Sequence, residues 1–532
     1  MALAAADTYV VVLALTDMMT GVGLGIDALQ RATPIVSGFL LGYVAVLPLI
    51  GRLSDLVVRQ RILLGCLLIF VLGSAITALA TDLPVLVAGR VVQGIGGGGL
   101  VPATLALVAD LWPRGRRGTP LGVVGAVQEL GSVLGPVLGA AVLAVADWRA
   151  IFWLNAGLGL LLAAGLTLVG GHRPSRPHLG QLLLGLVALL AGGLALWAPE
   201  RLVADVTLGV PFIPVGESTA RLATPIGVLG IACGAAWLAL SAWRHRRLLA
   251  GADLPGALLL GIALGSLVLT FAASDPSREV VGPAGFVLLP VGLVALLLYL
   301  WRHRTAAEPL VRRGTFGGTG AWALLVSLLA GVALVAVVVD VPFLARLAAG
   351  ADETGAAFVL VRFLVAVPVG AVLGGWLLPR TGAGVVAGLG LALASVGLLV
   401  MSRWGQGSLD GVAPTVVLVL VGLGMGLSIA PVNDAALAAS PEDGHGTAAA
   451  LVVVARMVGM VVGIALLTAV GLHRYYARVA ELPQPVAPRE LAAAGIVQVQ
   501  TIFLGAAAAA ALGALTALRL GLRRAGARAQ EA

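Results

Sequence analysis

Seven charged side chains fall inside runs that otherwise read as hydrocarbon: Asp7, Glu129, Asp340 and Asp434 against Arg90, Arg362 and Arg456. The stretch "VVVARMVGMVVGI", residues 452–464, poses the question most sharply. A charge at the centre of a membrane helix costs at least ~2.5 kcal/mol on insertion scales, so such a residue usually has a partner or a task. Two tasks suit these residue types. A carboxylate and a guanidinium group held out of water form a pair whose making and breaking biases a conformational change. A lone buried carboxyl favours its neutral form and so loads and releases a proton. Asp7 is the candidate proton carrier on this reasoning, with Glu129 as a second proton-coupling residue. The alternative for each residue is a purely structural pairing, and Asp340, six residues before Arg346, is also readable as lying near the outer surface. Asn433 and Asp434 follow Pro431 in a glycine-rich run. There, freed backbone groups and polar side chains could line a cavity together with Asp340 and Arg362.

The elements that must hold these groups follow from composition. The 532 residues are 60% hydrophobic and only 11% charged, with mean hydropathy +1.05, far from the roughly 25% charged residues of a soluble domain. The expected fold class is an all-α polytopic membrane protein. All 33 basic residues are arginine, which removes the P-loop lysine of an ATP-driven pump and any Schiff-base lysine. The net charge of +8 is spread over short connections between apolar runs, where it writes topology and not nucleic-acid binding. Cys66 and Cys233 both lie in apolar runs, so neither a disulfide framework nor a metal site is indicated, and no cofactor is expected.

A bilayer core about 30 Å thick needs roughly 20 apolar residues per helix. On that ruler the chain divides into sixteen spans, with fourteen as the alternative. Six spans lie within residues 1–172. A central linker, 173–316, carries four apolar runs (two in the alternative), and six more spans occupy 317–524 before a tail at 525–532. With the N-terminus inside, the inner connections carry about twice as many arginines as the outer ones, which places both termini in the cytoplasm. Two stretches repeat across the halves. "VQELGSVLGP" aligns with "ARMVGMVVGI", setting Gly131 and Gly135 on Gly459 and Gly463, and "QGIGGGGLVP" echoes "VGLGMGLSIAP". Internal repeats of this kind point to a transporter built from related bundles. The repeat sets Arg456 against Gln128, one residue from Glu129. Glu129 and Arg456 are therefore expected to pair between the bundles at one depth.

Several motifs resemble those of the major facilitator superfamily. "GRLSDLVVRQR" is similar to its loop between helices two and three, with Gly51, Asp55 and Arg59 in place; Leu56 and Val58 depart from the pattern. "GRVVQGIGGG" resembles the helix-four motif through Arg90, Gln93 and Gly94. "GAVQELGSVLGPVLGA" resembles the antiporter motif of helix five through Gly131, Gly135, Pro136 and Gly139, with Ala140 replacing a final glycine. "DWRAIFWLN" is similar to the opening of helix six in the drug/proton antiporter group that carries extra central helices. "ADTYVVV", "LLGYVAVLPLIGRLSD" and "VVVARMVGM" add a resemblance to the mycobacterial exporters of triacylglycerides and lipoglycans that work with a lipid-carrying lipoprotein. The resemblance implies two six-helix bundles and no enzymatic activity. It further implies a proton-coupled exporter of a lipid or lipid-linked substrate in the bacterial cytoplasmic membrane, acting as a monomer with a periplasmic lipoprotein acceptor. A multidrug or small-metabolite proton antiporter is the other reading these motifs allow.

No proline interrupts residues 446–481. At 1.5 Å per residue such a helix reaches ~54 Å, well beyond a bilayer core. "RELAAAGIVQVQ", after "LPQPVAP", is amphipathic. The last two helices are thus expected to project as a hairpin outside the membrane.

Overall fold

With no water in a bilayer core to satisfy backbone groups, apolar runs of this length fold as helices whose hydrogen bonds are internal. The computed structural model describes residues 1–25, 29–113, 115–169, 178–205, 207–215, 220–272, 285–313, 318–351, 353–483 and 487–521. Its long helices are α1 (Ala2–Gly21), α2 (Leu29–Leu56), α3 (Arg59–Leu79), α4 (Leu83–Leu111), α5 (Gly118–Leu143) and α6 (Trp148–Val169). The central four are α7 (Leu179–Trp197), α8 (Pro225–Arg244), α9 (Leu254–Ala272) and α10 (Gly285–Thr305). Then come α11 (Thr319–Ala349), α12 (Glu353–Thr381), α13 (Ala383–Met401), α14 (Ala413–Ala439), α15 (His445–Ala480) and α16 (Pro488–Ala517). Among the described residues fifteen helices are long and apolar enough to cross a membrane, and the bent α1 makes sixteen if its two segments form one span. All four central helices pass, in accord with the larger of the two counts.

The first six helices and the last six pack in matching ways. α1 lies on α5 and α2 on α4, as α11 lies on α15 and α12 on α14. The repeated glycines explain the match. A Cβ on Gly131 would come within 2.3 Å of the Ala2 carbonyl oxygen and one on Gly135 within 2.4 Å of that of Ala6; on Gly459 it would meet the Leu328 carbonyl at 2.0 Å. Backbones this close leave no room for a side chain, so the repeat preserves a contact of α5 with α1 and of α15 with α11. The run Gly96–Gly99 serves packing in the same way. Gly96 abuts the Phe70 backbone and Gly98 that of Tyr43.

The halves meet where α2 crosses α15 and α5 crosses α12. α7 and α8 pack on each other and touch the rest through α3, whereas α9, paired with α10, leans on α2 and also reaches α15. The end carrying the α2–α3 connection is called the motif face below, and the end carrying the α15–α16 connection the hairpin face. α15 is unbroken for 36 residues, and His473, Arg474, Tyr476 and Arg478 in its last two turns are exposed. α11 runs out beside the hairpin far enough for Leu347 to meet Gly495 of α16. The segment "LPQPVAP" lies partly outside the described residues, since 484–486 are not among them.

Candidate functional site

Arg456 sits a third of the way along α15 with its carbonyl packed on Gly331 of α11. Its guanidinium crosses to the other half, where Nη1 lies 3.6 Å from Glu129 Oε1 on α5. Glu129 is 15% exposed and Arg456 18%. Beside the pair is a cavity of about 40 Å³ lined by Val101, Val124, Gly125, Ser327, Ile429, Asn433, Val452 and Val453 among others. Helices α5 and α15 both start at the motif face, and the lining residues precede the charged pair on each. The cavity therefore lies on the motif-face side of the pair. One water needs roughly 10–15 Å³ on this measure, so the space holds a few waters and nothing larger.

Four residues were expected to share a cavity, and the structure separates them. Asn433 lines the cavity, its Nδ2 donating to the Ile429 carbonyl at 3.0 Å. Asp434, the next residue, turns to the motif face and pairs with Arg117 of the α4–α5 connection, whose Nη2 also donates to the Asp434 carbonyl at 3.0 Å. Arg362 donates to Thr415 Oγ1 at 2.9 Å within the second half. Asp340 is 7% exposed. It lies nine residues inside the end of α11, on a helix covered by α15 and α16.

Asp7 occupies a different site, wholly within the first six helices. Its Oδ2 pairs with Arg90 Nη1, and its Oδ1 accepts from Gln93 Nε2 at 2.9 Å and Asn155 Nδ2 at 2.6 Å. Gln93 also donates to Ser74 Oγ at 2.9 Å and accepts from Arg90 at 2.6 Å, while Arg90 Nε donates to the Ile35 carbonyl at 3.2 Å. Phe39 flanks the guanidinium, its ring centroid 4.6 Å away. Asp7, Arg90, Gln93 and Ser74 are at most 1% exposed. A dry ion pair survives only when its remaining donors and acceptors are also satisfied, and Gln93, Asn155 and Ser74 do that here. Gly94, next to Gln93, lets α4 approach the Phe39 carbonyl of α2 to 2.1 Å from where a Cβ would stand.

The third constellation fastens the halves at the motif face. Asp55, at the end of α2, accepts from the backbone N–H groups of Gly446 at 2.6 Å and Thr447 at 2.9 Å, and from Thr447 Oγ1 at 2.6 Å. Those N–H groups belong to the first turn of α15, which has no partners of its own for them. The carboxylate thus caps a helix of the opposite half, where the helix dipole also favours a negative charge. Gly51 admits this contact, because a Cβ there would stand 2.6 Å from that of Ala450. Arg59 pairs with Asp110, lies 4.0 Å from Asp55 and donates to the Glu442 carbonyl at 3.2 Å. The unusual Leu56 and Val58 of this loop are exposed. Gly135 and Gly139 of the antiporter motif seat α5 on Ala6 and Val10, either side of Asp7, and Pro136 lies within the same helix. The helix that carries Glu129 is thereby packed against the helix that carries Asp7.

Among known proteins, a family model described as Major Facilitator Superfamily matches residues 1–182. The chain is 38% identical over 498 residues to a protein of Mycobacteroides abscessus named triacylglyceride transporter, covering 91% of this chain and 83% of that one. It is 35% identical over 547 residues to a protein so named in Mycolicibacterium smegmatis, covering 97% and 85%. A Mycobacterium tuberculosis protein of that name is 35% identical over 91% of this chain and 83% of its own length. Among solved structures, the proton:xylose symporter XylE superposes with a TM-score of 0.54 at 14% identity, covering 97% of this chain and 92% of that one. The human organic anion transporter MFSD10 gives 0.53 at 16%, covering 97% and 96%. These last two show the fold alone. The chain belongs to the major facilitator superfamily, in the family of the mycobacterial proteins it resembles along most of its length, and is an integral membrane transporter, not an enzyme.

Proposed function

We propose that this transporter exports a triacylglyceride-like lipid across the bacterial cytoplasmic membrane by proton-coupled alternating access. The observation that carries the reading is the Glu129–Arg456 pair, a mostly buried charge pair that joins the two halves beside an otherwise largely apolar cavity. With the motif face cytoplasmic, as the arginine distribution orients it, the described state is shut toward the cytoplasm by Asp55 on α15 and by Arg117 on Asp434. A proton taken up by Glu129 removes the charge that holds Arg456, which frees the halves to swing; releasing it restores the lock. Asp7 is the second coupling carboxyl, placed to loosen α1 from α4 and α6 when its charge is lost.

The apolar lining and the names of the mycobacterial relatives favour a lipid over a polar solute. A cavity of about 40 Å³ is too small for a triacylglyceride, so in this reading the lipid enters only in another conformation. The long hairpin of α15 and α16 leads it to an acceptor on the periplasmic side, a lipoprotein being the proposed partner of a monomeric exporter. The test is transfer of labelled triacylglyceride from proteoliposomes to an external acceptor under an imposed proton gradient. Export by the wild type that collapses in Glu129→Gln and Asp7→Asn supports the reading. Extrusion of a small cationic dye without lipid transfer overturns it in favour of a drug antiporter.

A further inference from the structure

We infer that residues 306–313, which follow α10, are a strap that clasps the motif face shut, and that the α9–α10 pair is its anchor on the first half of the molecule. The inference rests on the alternating-access reading and gives the central helices a task within it.

The anchor is built from polar contacts centred on two buried groups, Asp253 and Arg52, with Glu308 at the surface. Asp253, at the head of α9, is 2% exposed and holds a φ of +49°, a left-handed conformation that few residues other than glycine, asparagine and aspartate adopt readily. Its carboxylate accepts from Gly256 N at 3.2 Å, from Arg302 Nε of α10 at 2.7 Å and from Leu310 N of the strap at 3.0 Å. Leu310 and Val311 are buried to 0% and 1% exposure. Arg52, 4% exposed in α2, donates through Nε to the Gly251 carbonyl at 3.1 Å and lies 3.4 Å from Glu308. One arginine of the motif loop thus holds both the head of α9 and the strap. Arg313 folds the segment back by donating to the Arg304 and Ala306 carbonyls, each at 2.8 Å. α9 itself lies against α2, with Gly261 on Ala45 and Gly265 on Leu41. The polar contacts to Asp253 and Arg52 tie the strap to α9 and α2.

The clasp is of another kind. Arg312 Nη1 reaches the second half at Asp443 Oδ2, 2.5 Å away, and the two side chains are 47% and 57% exposed. Asp443 stands in the short turn between α14 and α15. Its neighbour Glu442 is held by Arg59, and Gly446 and Thr447 just beyond are held by Asp55. The motif loop and the strap grip the same turn from different elements. When the halves part at this face, the buried anchor stays and the exposed pair opens, because the exposed pair is the weaker of the two attachments.

An exposed ion pair shifts a two-state ratio by about fivefold at most, and that sets the expected size. Spin labels at Arg61→Cys and Thr381→Cys, both exposed at the motif face on opposite halves, report the distance across it in proteoliposomes of the full chain carrying Cys66→Ala and Cys233→Ala. Asp443→Asn is expected to raise the ratio of open to closed populations about threefold. Asp443→Arg, which sets like charges face to face, should raise it further, and Glu442→Gln, whose backbone and not side chain is held, should leave it at the wild-type value. A ratio unchanged by Asp443→Arg, or moved equally by Glu442→Gln, overturns the inference. No lipid substrate is needed for the reading, so its failure is distinct from failure of the lipid-export proposal.

Discussion

Glu129 and Arg456 face each other mostly buried, beside a cavity with room for only a few waters. Removing one member of a buried pair costs about 3–5 kcal/mol because the other charge is left uncompensated, whereas replacing both is often close to neutral. Glu129→Gln is therefore expected to lower the thermal midpoint in detergent by several degrees, and the double change Glu129→Gln with Arg456→Gln to recover most of that loss without recovering coupled transport. A double variant as unstable as the single one would show that the two charges do not act as a pair. Asp7→Asn should behave differently, since an amide offers Arg90 one acceptor in place of a charge and keeps the contacts with Gln93 or Asn155 only in part. The expected outcome is a loss of stability that Arg90→Gln added to it relieves. The charges of both sites are legible in the sequence as ions in apolar runs, and the repeat offset fixes the depth of Arg456 relative to Glu129. Asn155 and Ser74 are not singled out that way, although an asparagine in "FWLNAG" is a polar group in an apolar span. Arg117 is missed for another reason: a loop arginine reads as topology, and only the folded chain brings it to Asp434.

Among the elements, α15 does most to join the molecule, being capped by Asp55, packed on α11 through Gly459 and crossed by α2. A methyl group at Gly459 would stand 2.0 Å from the Leu328 carbonyl oxygen, so Gly459→Ala must push α11 and α15 apart. Overpacking of this kind costs typically about 1–3 kcal/mol, and the variant is expected to fold poorly, with Gly135→Ala on α5 failing likewise; a Gly459→Ala protein of wild-type thermal midpoint would contradict the packing argument. Asp55→Ala strips the cap from α15 across the interface, and because caps are worth about 0.5–2 kcal/mol it should shift the protein toward the state open at the motif face, read as a longer distance between spin labels at Arg61→Cys and Thr381→Cys. The helices themselves are plain in the sequence, since runs of this hydropathy have one way to fold in a bilayer. The unbroken reach of α15 is plain as well, because no proline stands in it. The strap is not: "AAEPLVRR" has the composition of an ordinary connection, and its hold on Asp253 and Arg52 depends on contacts between residues far apart in the chain.

At the scale of the whole molecule, two related bundles are locked together at one face by charges and helix caps, with a central helix pair bound to the first bundle. Composition gives the class and the repeat gives the twofold design, whereas the hold of Asp55 on the first turn of α15 emerges only in the folded chain. No residue pattern names the substrate, because the few polar groups in the spans are engaged in pairing and packing. The proposed function rests on coupling between a proton gradient and lipid movement through the Glu129–Arg456 lock. Its most direct test is the initial rate of labelled triacylglyceride transfer from proteoliposomes to an external acceptor, with and without an imposed proton gradient, for the wild type and Glu129→Gln. The predicted result is a gradient-dependent rate in the wild type that falls at least about tenfold in Glu129→Gln, a factor worth about 1.4 kcal/mol. Transfer that is the same with and without the gradient, or unaffected by Glu129→Gln, would contradict it.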